Sequence, residues 1–327
     1  MSIRTLRREL EPKLLRRPGI TGIGNVGNTL RIYVEGTDDD FPAKIDNFPV
    51  EIFKTGKIKA LNQLSYYAQP EEVTGSPWIV PQSSIDPLRT SKYRPIPGGV
   101  SIGHPSITAG THGVSLRFMG ISGGLSNNHV LAAGSTLQFP KANIGDPIYQ
   151  PGPYDGGTSA DTVGTLRWYQ PIDTEKSNLI DAALWEPSSP DLMSDEILDI
   201  GIPKGVSTVQ VGDVIQKSGR TSGYTSAEVI DINATVSVGY GSFEADFYNQ
   251  IITDVVGDPG DSGSAVLDMN PNLVGLLFAG SEYVTIHNHI RNVLGAIGPV
   301  PSPSPGEEAP LAFPLMLSNA LLLLGFA

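Results

Sequence analysis

From Gly98 to Gly280 the chain runs as short strand-like segments separated by turn residues, with no helical stretch between them. VSLRFM, DTVGTLRWY, LIDAALWE, STVQVGDVIQKSG, SAEVIDINATVSVGY, QIITDVV and LVGLLFAG are clear examples. Strands that follow one another this closely, without helical crossovers, pair most simply with antiparallel neighbours, and many of them in series point to barrels. The 37 glycines and 27 prolines suit so many turns, and an apolar fraction of 39% is ordinary for a chain that buries a core.

At 327 residues the chain exceeds one ordinary domain, leaving room for a domain of roughly 200 residues and further modules. Residues 3–17 have helical spacing, with Ile3, Leu6, Leu10, Leu14 and Leu15 on one face, and Pro18-Gly19 stops the helix. ITGIGNVGNTLRIYVEG reads as a hairpin turning near Asn25–Asn28, and PAKIDNFPVEIFKTGK adds a crossover and a third strand with Val50 and Ile52. A small α/β module over residues 1–66 is expected. Proline, serine and glycine accumulate over 67–97, a linker laid on a domain surface. Residues 299–327 form a proline-rich spacer and an apolar tail interrupted by Pro314, Ser318 and Asn319. That tail is near the lower limit for crossing a bilayer, so a membrane anchor is not expected.

The formal charge of -12 argues against a nucleic-acid partner, which calls for a basic face. With no cysteine in the chain, packing rather than disulfides must hold it together, and a reducing compartment is permitted. The first residues are charged and lack an apolar core of the kind a secretory signal carries, so a cytoplasmic location is the expectation.

Hydrolysis of a peptide bond by a serine requires three cooperating parts. A neutral imidazole takes the hydroxyl proton, a buried carboxylate fixes the imidazole tautomer, and backbone N–H groups face the developing oxyanion. Each such donor is worth about 3–4 kcal/mol. GDPGDSGSAVLD at 257–268 places Ser262 on a tight turn whose glycines can bring backbone N–H groups against a substrate. LSNNHVLAAG at 125–134 offers His129 on a turn after a strand, and NLIDAALWEP at 178–187 offers Asp181 ahead of an apolar strand.

These three segments, in the order His, Asp, Ser, resemble those of trypsin-like (chymotrypsin-fold) serine peptidases, and the resemblance covers roughly residues 98–298. It implies an all-β catalytic domain of two six-stranded antiparallel β-barrels, preceded by the small N-terminal α/β module. The first barrel would span about 98–200, the second about 201–285, and a C-terminal helix about 286–297. It further implies His129 as general base, Asp181 as its orienting group, Ser262 as nucleophile, and the N–H groups of Gly260 and Ser262 as the oxyanion hole. Phe278, Ala279 and Gly280 would pair with the substrate backbone by β-augmentation. Val256 would form the base of the pocket for the residue before the scissile bond, hinting at an apolar preference. The substrate would be a protein or peptide, with no cofactor or metal required; the alternative readings are a catalytically latent, peptide-binding protease fold, or a peptidase that cuts only itself, within the proline-rich linker or the C-terminal tail. The N-terminal module and the LSNNHV form also look like a bacterial and plant subgroup that includes the NARROW LEAF type; the module could mediate homo-oligomer contacts.

Two departures from the family stand out. Phe278 sits where many relatives carry a serine bonded to the catalytic aspartate, so the support of Asp181 must come from elsewhere. The protease region begins inside the chain, so a freed N-terminus is not expected to pair with Asp261 as it does in secreted zymogens. Gly22–Gly27 satisfies G-x-G-x-x-G, but a strand pattern follows where the dinucleotide fingerprint requires a helix. Gly120–Gly124 satisfies G-x-S-x-G, yet Leu125–His129 follows at once instead of a helix, so a turn between strands is expected. His287 and His289 are spaced wrongly for one helical face, His104 and His112 are read as structural, and Asp38–Asp40 as a solvated loop.

Overall fold

The computed structural model describes residues 2–36, 41–61, 86–118 and 121–298. Helix α1 (Ile3–Leu14) opens with Ser2, whose side chain accepts the N–H of Thr5. Strands β1 (Ile20–Val26) and β2 (Thr29–Val34) form the expected hairpin, closed at Val26 and Thr29. After the short β3 (Lys44–Ile45), β4 (Phe48–Lys54) runs parallel to β2. Ile3, Ile20, Ile23, Leu30, Ile32 and Val34 are buried together, with Leu10 and Leu14 packed against them. Strand β5 (Lys59–Ala60) then leaves this small sheet. Most of the 67–97 linker, Asp38–Asp40, Leu64 and the tail beyond Gly298 lie outside the described residues. The linker's last turn, α2 (Pro87–Thr90), is pinned by Arg89, which donates to the carbonyls of Gly99 and Gly219 and pairs with Asp199.

The first barrel contains β6 (Ile96–Gly98), β7 (Val100–Ile102), β8 (Gly110–His112), β9 (Val114–Phe118), β10 (Ile121–Ser126), helix α3 (Asn128–Leu131), β11 (Pro147–Tyr149), β12 (Thr162–Tyr169), β13 (Ala183–Pro187) and β14 (Met193–Ile197). β8 and β9 form one bent strand, paired with β7 at one end and β10 at the other. The circuit continues β10–β13–β12–β11 and returns to β7 through reciprocal bonds between Gly103 and Tyr149 at 3.1 and 2.9 Å. Six antiparallel segments therefore close around Ile102, Val130, Val163, Leu166 and Trp185. The expected turn is corrected in part: Ile121–Gly124 of the G-x-S-x-G tract belong to strand β10, paired with β9 and β13, and Gly120 lies outside the described residues.

The second barrel follows the short β15 (Gly205–Val206). Its strands are β16 (Val214–Gly219), β17 (Gly223–Gly239), β18 (Glu244–Thr253), β19 (Ala265–Asp268), β20 (Asn272–Gly280) and β21 (Thr285–His289). They pair in the order β16–β19–β20–β21–β18–β17, and β17 returns to β16, which closes the barrel with no free edge. One expectation is corrected: residues 286–289 are strand, and the terminal helix α4 begins at Ile290 and ends at Ile297. The helical spacing of Ile286, Ile290 and Val293 is overridden because β21 is needed to join β18 and β20, bonding both.

The N-terminal sheet is continuous with the second barrel. β1 pairs antiparallel with β17, Gly22 opposite Val236 and Ile23 opposite Thr235. Tyr33 donates to Asp231 at 2.5 Å, and the buried Arg7 donates to Thr235 at 3.0 Å. Between the barrels, Val114, Leu125, Ile180 and Ala182 of the first pack with Ala265, Leu267, Leu276 and Ile290 of the second. Each valine, leucine or isoleucine among them, once fully buried, contributes about 1.5–3 kcal/mol. That shared apolar seam fixes the cleft above it. Among the described residues no helix is long and apolar enough to cross a membrane.

Candidate active site

His129 sits on the single turn α3 immediately after β10, and Asp181 on the loop entering β13. The pairing of β10 with β13, Ser126 opposite Ala183, brings these two loops together. His129 Nδ1 lies 2.6 Å from Asp181 Oδ2, and the His129 N–H donates to Asp181 Oδ1 at 3.3 Å. Both side chains are buried. A carboxylate held against Nδ1 leaves that nitrogen protonated and Nε2 free to act as a base. Nε2 is itself buried and has no hydrogen-bond partner among the described residues.

The missing support of Asp181 comes from Tyr240, whose hydroxyl donates to Asp181 Oδ2 at 2.8 Å. Burial first, and then the negative charge of Asp181, push the Tyr240 phenol well above its ordinary value, so it remains a donor. Asn288 accepts the Asp181 N–H at 3.0 Å and Asn127 donates to the Asp181 carbonyl at 2.7 Å. The Tyr240 ring meets the His129 imidazole edge-on, with centroids 5.8 Å apart. Phe278 does not contribute a side-chain donor; its ring packs on Phe247 at 4.8 Å.

Ser262 lies on the loop between β18 and β19. Its Oγ donates to the Phe278 carbonyl at 3.2 Å, not to His129. For the Ser262 hydroxyl to reach Nε2, that bond would have to be exchanged. Gly260, two residues earlier, has φ +104°, and a Cβ there would stand 2.3 Å from Thr221 Oγ1, so only glycine fits. Its N–H points into the cleft and donates at 2.7 Å to the carbonyl of Leu61, from the chain's own N-terminal module.

Asp261 turns away from the cleft. Its carboxylate accepts from the N–H groups of Thr221 (2.8 Å), Ser222 (3.1 Å) and Asp258 (2.9 Å), and from the Ser222 hydroxyl. Its cation is Lys217 of β16, with Nζ 3.0 Å from Oδ2 and both side chains fully buried. Burial opposes the charge on both groups. It draws Lys217 below its ordinary value against the pull of Asp261, whereas the lysine charge and the hydrogen bonds together hold Asp261 below the usual carboxylate range. An internal lysine thus supplies the cation that a freed N-terminus would otherwise have to bring to Asp261.

The proposed substrate strand is also occupied. Ala279 and Gly280 pair antiparallel with Ala60 and Lys59 of β5, and Phe278 accepts the N–H of Leu61 at 3.1 Å. Val256 belongs to the same buried apolar cluster as Leu61, Ile251 and Leu277. Sequence reasoning did not find Tyr240, Lys217, Asn288 or Leu61. Of the other histidines, His104 Nε2 lies 3.3 Å from Asp146, His112 is buried against Trp185, and His287 and His289 lie on β21. No group of three metal-ligating side chains occurs among the described residues.

No family model matches this chain. "Serine protease 2" of Streptomyces fradiae is 38% identical over 77 residues, 24% of this chain and 42% of that protein. Streptogrisin-A of Streptomyces griseus is 41% identical over 93 residues, 27% of this chain and 30% of that protein. The chain therefore spans less than half the length of either relative. Neither is of the NARROW LEAF type, and that finer affinity finds no support in them. Among solved structures, Thermobifida fusca Protease A is similar with a TM-score of 0.46 at 20% identity, covering 62% of this chain and 96% of that one. Cellulomonas bogoriensis chymotrypsin gives 0.44 at 18% identity, over 62% and 96%. The likeness in sequence is to serine proteases of the trypsin-like, chymotrypsin-fold family, and the two closed barrels described above are the fold such a likeness calls for.

Proposed function

We propose that the protein is a serine endopeptidase in which His129, Asp181 and Ser262 act as a triad. The observation that carries this reading is the buried His129–Asp181 pair at 2.6 Å, set across the cleft from a glycine-flanked serine loop. Such a pair has little structural purpose in a barrel seam but orients an imidazole for base catalysis. On this reading, Ser262 Oγ attacks the scissile carbonyl as His129 Nε2 takes its proton, and the oxyanion faces the N–H groups of Gly260 and Ser262. The C–N bond breaks as His129 protonates the leaving amine. Water, deprotonated by His129, then hydrolyses the acyl-enzyme. Phe278–Gly280 would align the peptide and Val256 would line the pocket of its acyl residue.

Proteins or peptides are the substrate class we infer. The LSNNHV form and the N-terminal module support, as a proposal only, affinity to the NARROW LEAF type. Homo-oligomer contacts through that module remain a proposal, and a cysteine-free chain suits the cytoplasm. Labelling purified protein with a fluorophosphonate tests the reading. Incorporation should require both Ser262 and His129, and a folded wild-type protein that takes up no label and cuts no peptide bond, its own included, would overturn it.

A further inference from the structure

Residues 58–61 lie in the cleft as a peptide substrate would lie. β5 runs antiparallel to the end of β20, Ala60 opposite Ala279 and Lys59 opposite Gly280. The Leu61 N–H donates to the Phe278 carbonyl at 3.1 Å, and the Leu61 carbonyl accepts the Gly260 N–H at 2.7 Å. The Leu61 side chain is 2% exposed. It fits between two glycines: a Cβ on Gly280 would stand 3.3 Å from Leu61 Cδ1, and one on Gly257 3.4 Å from it. Strand pairing aligns the backbone, the apolar pocket holds the side chain, and an N–H beside Ser262 polarises the carbonyl. A segment merely crossing the surface needs only the first of these.

We propose that the peptide bond on the carboxyl side of Leu61 is this protein's own substrate, cut in cis, and that the segment ending at Leu61 then remains in the cleft as a bound product that blocks other peptides. The proposal rests on the serine peptidase reading. Ser262 Oγ forms a bond to the Leu61 carbonyl carbon while its proton passes to His129. The bond from that carbon to the following nitrogen breaks, and the nitrogen leaves as an amine carrying the proton from His129. Water restores Ser262 and gives the Leu61 carboxylate.

Cleavage at that point would not release the N-terminal segment. β1 stays paired with β17 through Gly22 and Ile23, and Tyr33 and Arg7 bond to Asp231 and Thr235. The Gly239 N–H also holds the Ile58 carbonyl at 3.0 Å. With the fragment anchored elsewhere, the cleft sees it at high effective concentration, and a weakly bound product becomes an efficient block.

The test compares full-length wild-type protein with Ser262→Ala, Leu61→Asp and Leu61→Gly. Three readouts are needed: intact mass under denaturing conditions, native size-exclusion chromatography, and turnover of a blocked peptide ending in leucyl p-nitroanilide. Wild-type protein should split after Leu61, with both pieces co-eluting natively, and Ser262→Ala should keep one mass. The Leu61 variants should resist cutting at that bond and turn over the added peptide several-fold faster, the glycine variant guarding against misfolding of the aspartate one. Wild-type protein that turns over the peptide and takes a fluorophosphonate label yet stays whole after Leu61 overturns this proposal alone. Cleavage that persists in Ser262→Ala also overturns it, as does unchanged turnover in both Leu61 variants. Wild-type protein that is neither cut, labelled nor active overturns the peptidase reading and this proposal with it.

Discussion

Lys217 Nζ and Asp261 Oδ2 stand 3.0 Å apart with no solvent on either, directly beside Ser262. Asp261 also collects three backbone N–H groups, so its position determines the path of the chain from Asp258 to Ser262. Removing one partner of a buried ion pair leaves an uncompensated charge and costs about 3–5 kcal/mol. Lys217→Met should lower stability by that order, read as a shifted urea midpoint. Labelling of Ser262 should slow in the fraction that remains folded. The double variant Lys217→Met with Asp261→Asn should recover most of the stability, because no charge is then stranded. If the two single losses simply added, Lys217 would not be the group that Asp261 depends on.

Tyr240→Phe removes one neutral donor from a buried carboxylate and leaves the ring packing in place. A hydrogen bond to a charged group is worth about 1.5–3 kcal/mol, so the fluorophosphonate labelling rate should fall roughly tenfold or more. Bulk stability should change less than the rate, since the Asp181 carboxylate keeps His129 and its backbone N–H as partners. An unchanged rate would mean that Asp181 needs no support from that hydroxyl.

The parts of this architecture that could be read from sequence are those written in contiguous residues. The Ser262 turn, the His129 turn and the strand after Asp181 are local patterns, and the strand runs that build both barrels repeat with turns between them. The β1–β2 hairpin and its turn were legible for the same reason. What escaped depends on contacts between distant residues. Leu61 is an ordinary leucine until β5 is laid on β20, more than two hundred residues later in the chain. Tyr240 lies in a Gly-Tyr-Gly turn that carries no periodic signal. Lys217 did leave a trace: strand alternation puts it on the same inward face as Ile215, and a buried lysine demands an acid. The start of α4 was misplaced because helical spacing over 286–293 outweighed the pairing that only the closed barrel reveals.

Acid should destabilise the fold before most carboxylates titrate. Burial depresses both His112 and His287 to about 3, from an ordinary value near 6.5, and one ring nitrogen of each has no hydrogen-bond partner. Between pH 3 and 6.5 the unfolded chain therefore binds protons that the folded one does not. Stability is fully present above about pH 6.5 and falls as pH drops through that window, by about 1.4 kcal/mol per pH unit for each site. Urea midpoints measured from pH 7 to pH 4.5 should show the decline. His112→Gln, which keeps an acceptor for Trp185, should flatten it by about one proton, and an unaltered slope would exclude His112 as a source.

On the serine peptidase reading, the cleft also predicts which peptides would be cut. The pocket against Leu61 is walled by Gly257 and Gly280, and the apolar cluster around it holds Val256, Ile251 and Leu277. The nearby carboxylate of Asp261 is already committed to Lys217, and the Asp258 carboxyl is raised by burial first and by the neighbouring charge of Asp261. Asp261 is therefore not placed as a free anion to draw a lysine or arginine side chain into the pocket. An apolar pocket distinguishes side chains by about 1–3 kcal/mol per methylene gained or lost. In a library of peptides varied at the residue before the cut, leucine should lead alanine by about tenfold or more, with lysine, arginine and aspartate poorer still. A preference for basic residues would place the pocket's charge elsewhere and would overturn the proposed substrate position of Leu61.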